Sequence, residues 1–145
     1  MLNEEVRRIM TTDPPVAHPE DTIRDVTNLM VQNQVHQVPV VDDKVLVGLV
    51  TWHNLWMHEK TLSDFENRKI KEVMITKVLV ITPKDKVGTA AELFMDRRFK
   101  MLPVVNLRHE LKGVITAFDV IRHTLTREYP RPILYSEVFD EIATG

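Results

Sequence analysis

Ile9-Met10-Thr11-Thr12 returns as Val73-Met74-Ile75-Thr76, 64 residues later. At the same offset Val16-Ala17-His18-Pro19-Glu20-Asp21 meets Val80-Ile81-Thr82-Pro83-Lys84-Asp85, and Val38-Pro39-Val40-Val41 meets Leu102-Pro103-Val104-Val105. One extra residue enters the second copy within Asn106-Leu107-Arg108-His109-Glu110. After it, Gly48-Leu49-Val50-Thr51 matches Gly113-Val114-Ile115-Thr116 at offset 65. An insertion in a polar turn leaves packed elements in register. Two copies of one supersecondary unit therefore fill most of the chain, and any fold has to be built from that unit twice.

Each copy reads as strand, helix, strand, strand, helix. An extended piece (Val16–His18; Val78–Thr82) is closed by Pro19 or Pro83. A helix follows, with Ile23, Val26, Leu29 and Met30 on one face in the first copy and Val87, Ala90, Ala91 and Phe94 in the second. Two strands come next, Val38–Val41 with Leu46–Thr51, joined by Asp42-Asp43-Lys44, and Leu102–Val105 with Gly113–Thr116. A second helix, Trp52–Lys60 or Phe118–Thr126, closes each copy, and polar Thr61–Lys69 links them. One copy of about 55 residues cannot bury a core alone. The expected fold class is therefore α/β (α+β): two β-α-β-β-α repeats packed sheet to sheet with pseudo-two-fold symmetry and clefts between them. The expected boundaries are residues 1–66 and 67–128, with a tail at 129–145.

Composition removes whole classes of function. The 145 residues contain no cysteine, which excludes disulfide scaffolds, thiol catalysis and cysteine-bound metals. Net charge is −2, without the basic excess of a nucleic-acid binder. No apolar run approaches the roughly 18 residues of a membrane span, and the N-terminus, with two acids and no apolar h-region, is unlike a signal peptide. A cytoplasmic protein with no membrane insertion is the expectation. Four glycines form neither G-x-x-x-x-G-K-[ST] nor G-x-G-x-x-G. His58-Glu59-Lys60-Thr61-Leu62 is not H-E-x-x-H, and the two serines, Ser63 and Ser136, lie in no G-x-S-x-G. No enzyme and no metal site is expected.

The chain resembles a tandem pair of CBS domains, the Bateman module, over about residues 5–127. The resemblance rests on the Met-Thr openings (Met10, Thr12; Met74, Thr76), the P-x-D leads (Pro19–Asp21; Pro83–Asp85), the strands around Pro39 and Pro103, and G-h-h-T-x-x-D. Gly113-Val114-Ile115-Thr116-Ala117-Phe118-Asp119 fits the last pattern fully, whereas Asn54 replaces its Asp in the first copy. The resemblance implies a regulatory sensor that needs no cofactor for chemistry. It implies binding of an adenosine ligand (AMP, ADP, ATP or S-adenosylmethionine) between the repeats, assembly as a homodimer and an effector protein of unknown identity. The other reading is a ligand-free dimerisation module that regulates a partner by contact.

Thr116 and Asp119 then carry the sharpest expectation. A helix N-terminus attracts phosphate, a Thr hydroxyl can donate to it, and an ionised Asp accepts two hydrogen bonds from ribose hydroxyls. The same tetrapeptide is also a capping box, the commoner reading of it alone. Thr51 and Asn54 form the corresponding pair, and the neutral amide predicts a weaker or empty site. Trp52 beside them either stacks on a purine or fills space. His36 and Lys100 precede the Pro-containing strands and can meet phosphate. Gln37 and Met101 stand where some nucleotide-sensing relatives carry Arg, which disfavours multiply charged nucleotides. Val16 and Ala17, with Val80 and Ile81, would supply apolar and backbone contacts to adenine. In the tail, Ile133, Leu134, Val138, Phe139 and Ile142 suggest an apolar stripe that docks on the body or on a partner chain.

Overall fold

The computed structural model describes residues 2–128, and the tail at 129–145 lies outside them. Element order repeats as the sequence does: α1 (Ile23–Asn33), β1 (Gln37–Asp42), β2 (Val45–Thr51), α2 (Trp52–Glu59), then α3 (Val87–Phe94), β3 (Met101–Val105), β4 (Leu111–Thr116) and α4 (Ala117–Glu128). The class is α+β, with two small antiparallel sheets. Among the described residues no helix is long and apolar enough to cross a membrane.

Local chemistry sets these elements. Thr22 caps α1 by accepting from the Asp25 N–H at 3.2 Å. Gln34, in the left-handed region at φ 54°, ends it. Ile23, Val26 and Met30 are buried on the inner face of α1, and Val87 and Ala90 on that of α3. Removing the Ile, Val and Met side chains from water contributes roughly 1.5–3 kcal/mol each, and the Ala90 methyl less. The tight β1–β2 turn puts Asp43 and Lys44 at positive φ, 46° and 74°. In the longer β3–β4 turn the Asn106 side-chain Oδ1 instead accepts from the Arg108 and Glu110 N–H groups.

The extended piece leading each copy does not become a third strand. It makes a one-residue parallel bridge, Ala17 to Val40 and Ile81 to Val104. The Ala17 N–H donates to the Pro39 carbonyl, and the Val41 N–H donates back to Ala17. The next parallel rungs would need N–H donors at Pro15, Pro19 and Pro39, and proline has none. Pro83 and Pro103 block the same rungs in the second copy. One proline pattern thus makes the bridge and stops it.

The repeats are joined reciprocally. Val6, with its neighbours Ile9 and Met10, packs in the core of the second repeat, against Ile81, Leu102, Val104 and Ile115. Ile70, Val73 and Met74 pack in the core of the first. Hydrogen bonds follow the symmetry: Val6 N–H to Asp85 carbonyl and Ile70 N–H to Asp21 carbonyl, both 2.7 Å. Thr11 pairs with Val114 on β4, and Ile75 with Leu49 on β2. These crossings require glycine beside them. A Cβ at Gly113 would lie 2.6 Å from the Thr11 carbonyl oxygen, and one at Gly48 2.6 Å from the Met74 sulfur. The hairpin tips also meet, Leu46 N–H on His109 carbonyl and Leu111 N–H on Lys44 carbonyl.

Candidate functional site

Each second helix starts with a reciprocal cap. The Asp119 N–H donates to Thr116 Oγ1 at 3.1 Å, and the Thr116 N–H donates to Asp119 Oδ2 at 2.9 Å. Thr51 and Asn54 repeat the device at 3.0 and 2.9 Å. Capping is therefore real in both copies. It leaves the Thr116 hydroxyl hydrogen free to donate elsewhere.

The two caps differ in what remains. Asn54 also donates from Nδ2 to the Val73 carbonyl at 2.6 Å, so both ends of its amide are used. Asp119 is only 4% exposed and holds a carboxylate with spare acceptor capacity. Its remaining neighbours are the Arg122 guanidinium at 3.3 Å and the Thr11 hydroxyl at 3.4–3.5 Å, both long.

Between the repeats lies a cleft of about 430 Å³, within the usual range for small-molecule sites. Thr116 lines it, together with His36, Gln37, Lys100 and Met101. Its walls are mostly apolar: Pro14, Pro15, Val35, Pro39, Val114 and Phe118. Among the described residues, Lys100 and His36 are the ionisable groups that line it. Among the described residues the buried Gln37 Oε1 has no hydrogen-bond donor.

Other expected residues lie elsewhere. Asp119 lines a neighbouring hollow with Arg8, Met10, Arg122 and His123, and Thr11 stands between it and the cleft. Ala17 is fully buried, its backbone spent on Pro39 and Val41. Val16 is half-buried and does not line the cleft. Asn54 belongs to a separate open hollow with His53, Met57, His58 and residues 73–77, whereas Thr51 lines neither. Trp52 donates its indole N–H to the Val35 carbonyl at 3.3 Å and packs on the first core, so it fills space. Sequence reasoning missed Thr11, Pro14, Pro15 and Phe118. The first three sit in a segment without periodicity, and only its crossing onto β4 places them.

Charges outside the cleft secure the join between repeats. Glu20 bonds both Lys69 and Lys71, the latter at 2.6 Å. These ammonium groups pull its carboxyl down to about 2 from 4.5.

Comparison with known proteins follows the same repeat. The model of the CBS domain matches residues 6–55 and again 70–125. Protein MJ1225 of Methanocaldococcus jannaschii is 30% identical over 132 residues, covering 83% of this chain and 47% of that protein. Its crystal structure, proposed as an archaeal homolog of g-AMPK, superimposes with a TM-score of 0.76. CBSX2, a CBS-pair protein from Arabidopsis thaliana solved in complex with AMP, gives 0.77 at 28% identity, covering 86% of this chain and 98% of that one. Inosine-5'-monophosphate dehydrogenase of Mycobacterium bovis is 34% identical over 124 residues, covering 83% of this chain but 22% of the enzyme. The chain thus spans half or less of the length of these curated relatives.

Proposed function

Because the chain belongs to the CBS domain family, with two copies in tandem, we propose that it is a regulatory sensor. It binds an adenosine-containing ligand (AMP, ADP, ATP or S-adenosylmethionine) and performs no catalysis. The observation that carries this reading is the inter-repeat cleft. Thr116 and the N-terminal end of α4 face an apolar slot lined by two basic residues, His36 and Lys100. A phosphate fits at Thr116 and Lys100, and the proline walls suit a flat base. Asp119 lies in the neighbouring hollow with Thr11 between it and the cleft, so a ribose contact to it requires the Thr11 side chain to move aside. The AMP complex of CBSX2 supports the ligand class.

With only His36 and Lys100 to meet negative charge, the monophosphate or S-adenosylmethionine is favoured over ATP. The Asn54 hollow is expected to stay empty, because that amide already spends its oxygen on the Thr51 N–H and an N–H on the Val73 carbonyl. Calorimetry with AMP, ADP, ATP, S-adenosylmethionine and NAD tests this. One site per chain is expected, and no binding by any of them, or two equal sites, would overturn it.

A specific observation favours a dimerisation role beside it. Trp56 at 54%, Ile121 at 55% and Phe118 at 66% exposure, with Met57 and Leu125, leave apolar surface on α2 and α4. Such surface commonly closes a two-fold dimer. Light scattering at micromolar concentration should give twice 16.9 kDa. A monomer mass would remove the dimer, and a dimer that binds none of the ligands would leave contact regulation as the better account.

A further inference from the structure

Residues 2–11 cross from the first repeat to lie on the second, where backbone bonds hold them in three places. The Val87 and Gly88 N–H groups at the start of α3 donate to the Glu4 and Leu2 carbonyls at 2.8 and 2.9 Å. The Val6 and Arg7 N–H groups donate to Asp85 and Pro83. Thr11 and Val114 exchange both their bonds, at 2.8 and 2.9 Å.

The Val6 side chain is fully buried in the core of the second repeat with Ile9 and Met10 beside it, and one polar side-chain contact adds to these. Glu4 Oε2 lies 2.9 Å from His123 Nε2 and 3.7 Å from Arg127 on α4. Both the Glu4 and His123 atoms are buried, and among the described residues neither makes a hydrogen bond of good geometry, so this close approach is the nearest polar contact each has. The symmetry-related segment lacks this contact. Arg68 stands at the position of Glu4, and it pairs within its own segment, with Glu72 and the Ser63 carbonyl.

The end of this arm is part of the cleft. Thr11, Pro14 and Pro15 line it, and the Thr11 hydroxyl lies against Asp119. A ligand in the cleft therefore touches the arm on one side and β4 and α4 on the other. We propose that residues 2–11 are a detachable wall of the cleft, that ligand occupancy holds them docked, and that Glu4, His123 and Arg127 form the latch. This rests on the cleft being the ligand site, and it assigns the arm as the element through which occupancy is reported. A ligand that binds only the docked state favours docking by its own mass action.

Hydrogen exchange reads the arm directly. Detachment frees the amides of Val6, Arg7, Thr11, Val87, Gly88 and Val114 together. Without ligand they should exchange faster than those of Ile70 and Lys71, the reference amides on the other segment. AMP at 100 times its Kd should slow the six about 100-fold. His123→Leu, and the milder Glu4→Gln, should speed them about tenfold or more while leaving Ile70 and Lys71 unchanged. If AMP binds by calorimetry and the six amides do not respond, the coupling is wrong and the cleft reading stands. If neither variant speeds them, the latch is wrong. If none of the adenosine ligands binds, the cleft reading falls and takes the coupling with it.

Discussion

The starts of α2 and α4 share a reciprocal cap on a Thr, and the residue that completes the cap, Asn54 in one and Asp119 in the other, differs by one atom of side chain. Asn54 places an amide nitrogen where Asp119 places an oxygen. That nitrogen closes a 2.6 Å hydrogen bond to Val73 and finishes the first site as structure. The Asp119 oxygen cannot donate, so it is left facing a long contact to Arg122 and the Thr11 hydroxyl. A duplicated motif keeps its structural role in both copies, because the helix start needs it. Its spare bonding capacity survives in only one.

Substitutions at these positions test the contrast most strongly. Asp119→Ala should weaken AMP binding roughly 10- to 150-fold, since a hydrogen bond to a charged group contributes about 1.5–3 kcal/mol. It should also lower stability by about 0.3–1 kcal/mol, through the lost carboxylate at the helix start. Asn54→Ala should leave affinity untouched and lower the melting temperature. Equal losses of affinity from the two variants, measured by calorimetry, would break the comparison.

The glycines give the next effect. An added methyl at Gly113 meets the backbone carbonyl of Thr11, which cannot rotate away, while one at Gly48 first meets a mobile methionine sulfur. Gly113→Ala should therefore destabilise by about 1–3 kcal/mol, as overpacking does, and reduce AMP binding by shifting the cleft wall. Gly48→Ala should be milder in urea unfolding and neutral for binding. Equal unfolding midpoints would contradict this.

Asn54→Asp would make the first cap resemble the second, yet it should not create a second site. It turns a donor into an acceptor opposite the Val73 carbonyl, which leaves that group unpaired at about 1–3 kcal/mol. A stable variant that titrates with two AMP molecules would sink the argument.

The smallest effect is expected at Glu20. Its carboxyl titrates lower folded than unfolded, about 2 against 4.5, so its bonds to Lys69 and Lys71 stabilise fully above pH 4.5. That contribution fades as pH falls towards 2. Melting curves of wild type and Glu20→Gln should differ slightly at neutral pH and converge near pH 2. A gap that widens in acid would reverse the assignment.

The order of elements was legible because helix periodicity, turn residues and the 64-residue offset are local signals. Both second helices start within a residue of the expected positions, and the hairpins pair as read. The expected three-stranded sheets were overdrawn. The same prolines that mark the family pattern remove the donors a third strand needs, and counting donors at Pro15, Pro19, Pro39, Pro83 and Pro103 would have revealed it. In the cleft, Thr116, His36, Gln37, Lys100 and Met101 come together because strand ends fix them. The wall of Thr11, Pro14 and Pro15 was invisible, since it depends on a contact with β4 more than 100 residues away. The same crossing sets Thr11 in front of Asp119, and no spacing within the tetrapeptide could report that.

The reciprocal seating of residues 2–11 and 67–75 also bears on history. A half-length ancestor with one copy would have had a leading segment and a complementary seat that lay on different molecules. Two such chains could satisfy each other only by trading segments, as in a domain-swapped dimer. Gene duplication and fusion would then have turned one traded segment into an internal connection and left the other as a leader. Cutting the present chain at its linker should consequently give two fragments that fold poorly apart and associate when mixed.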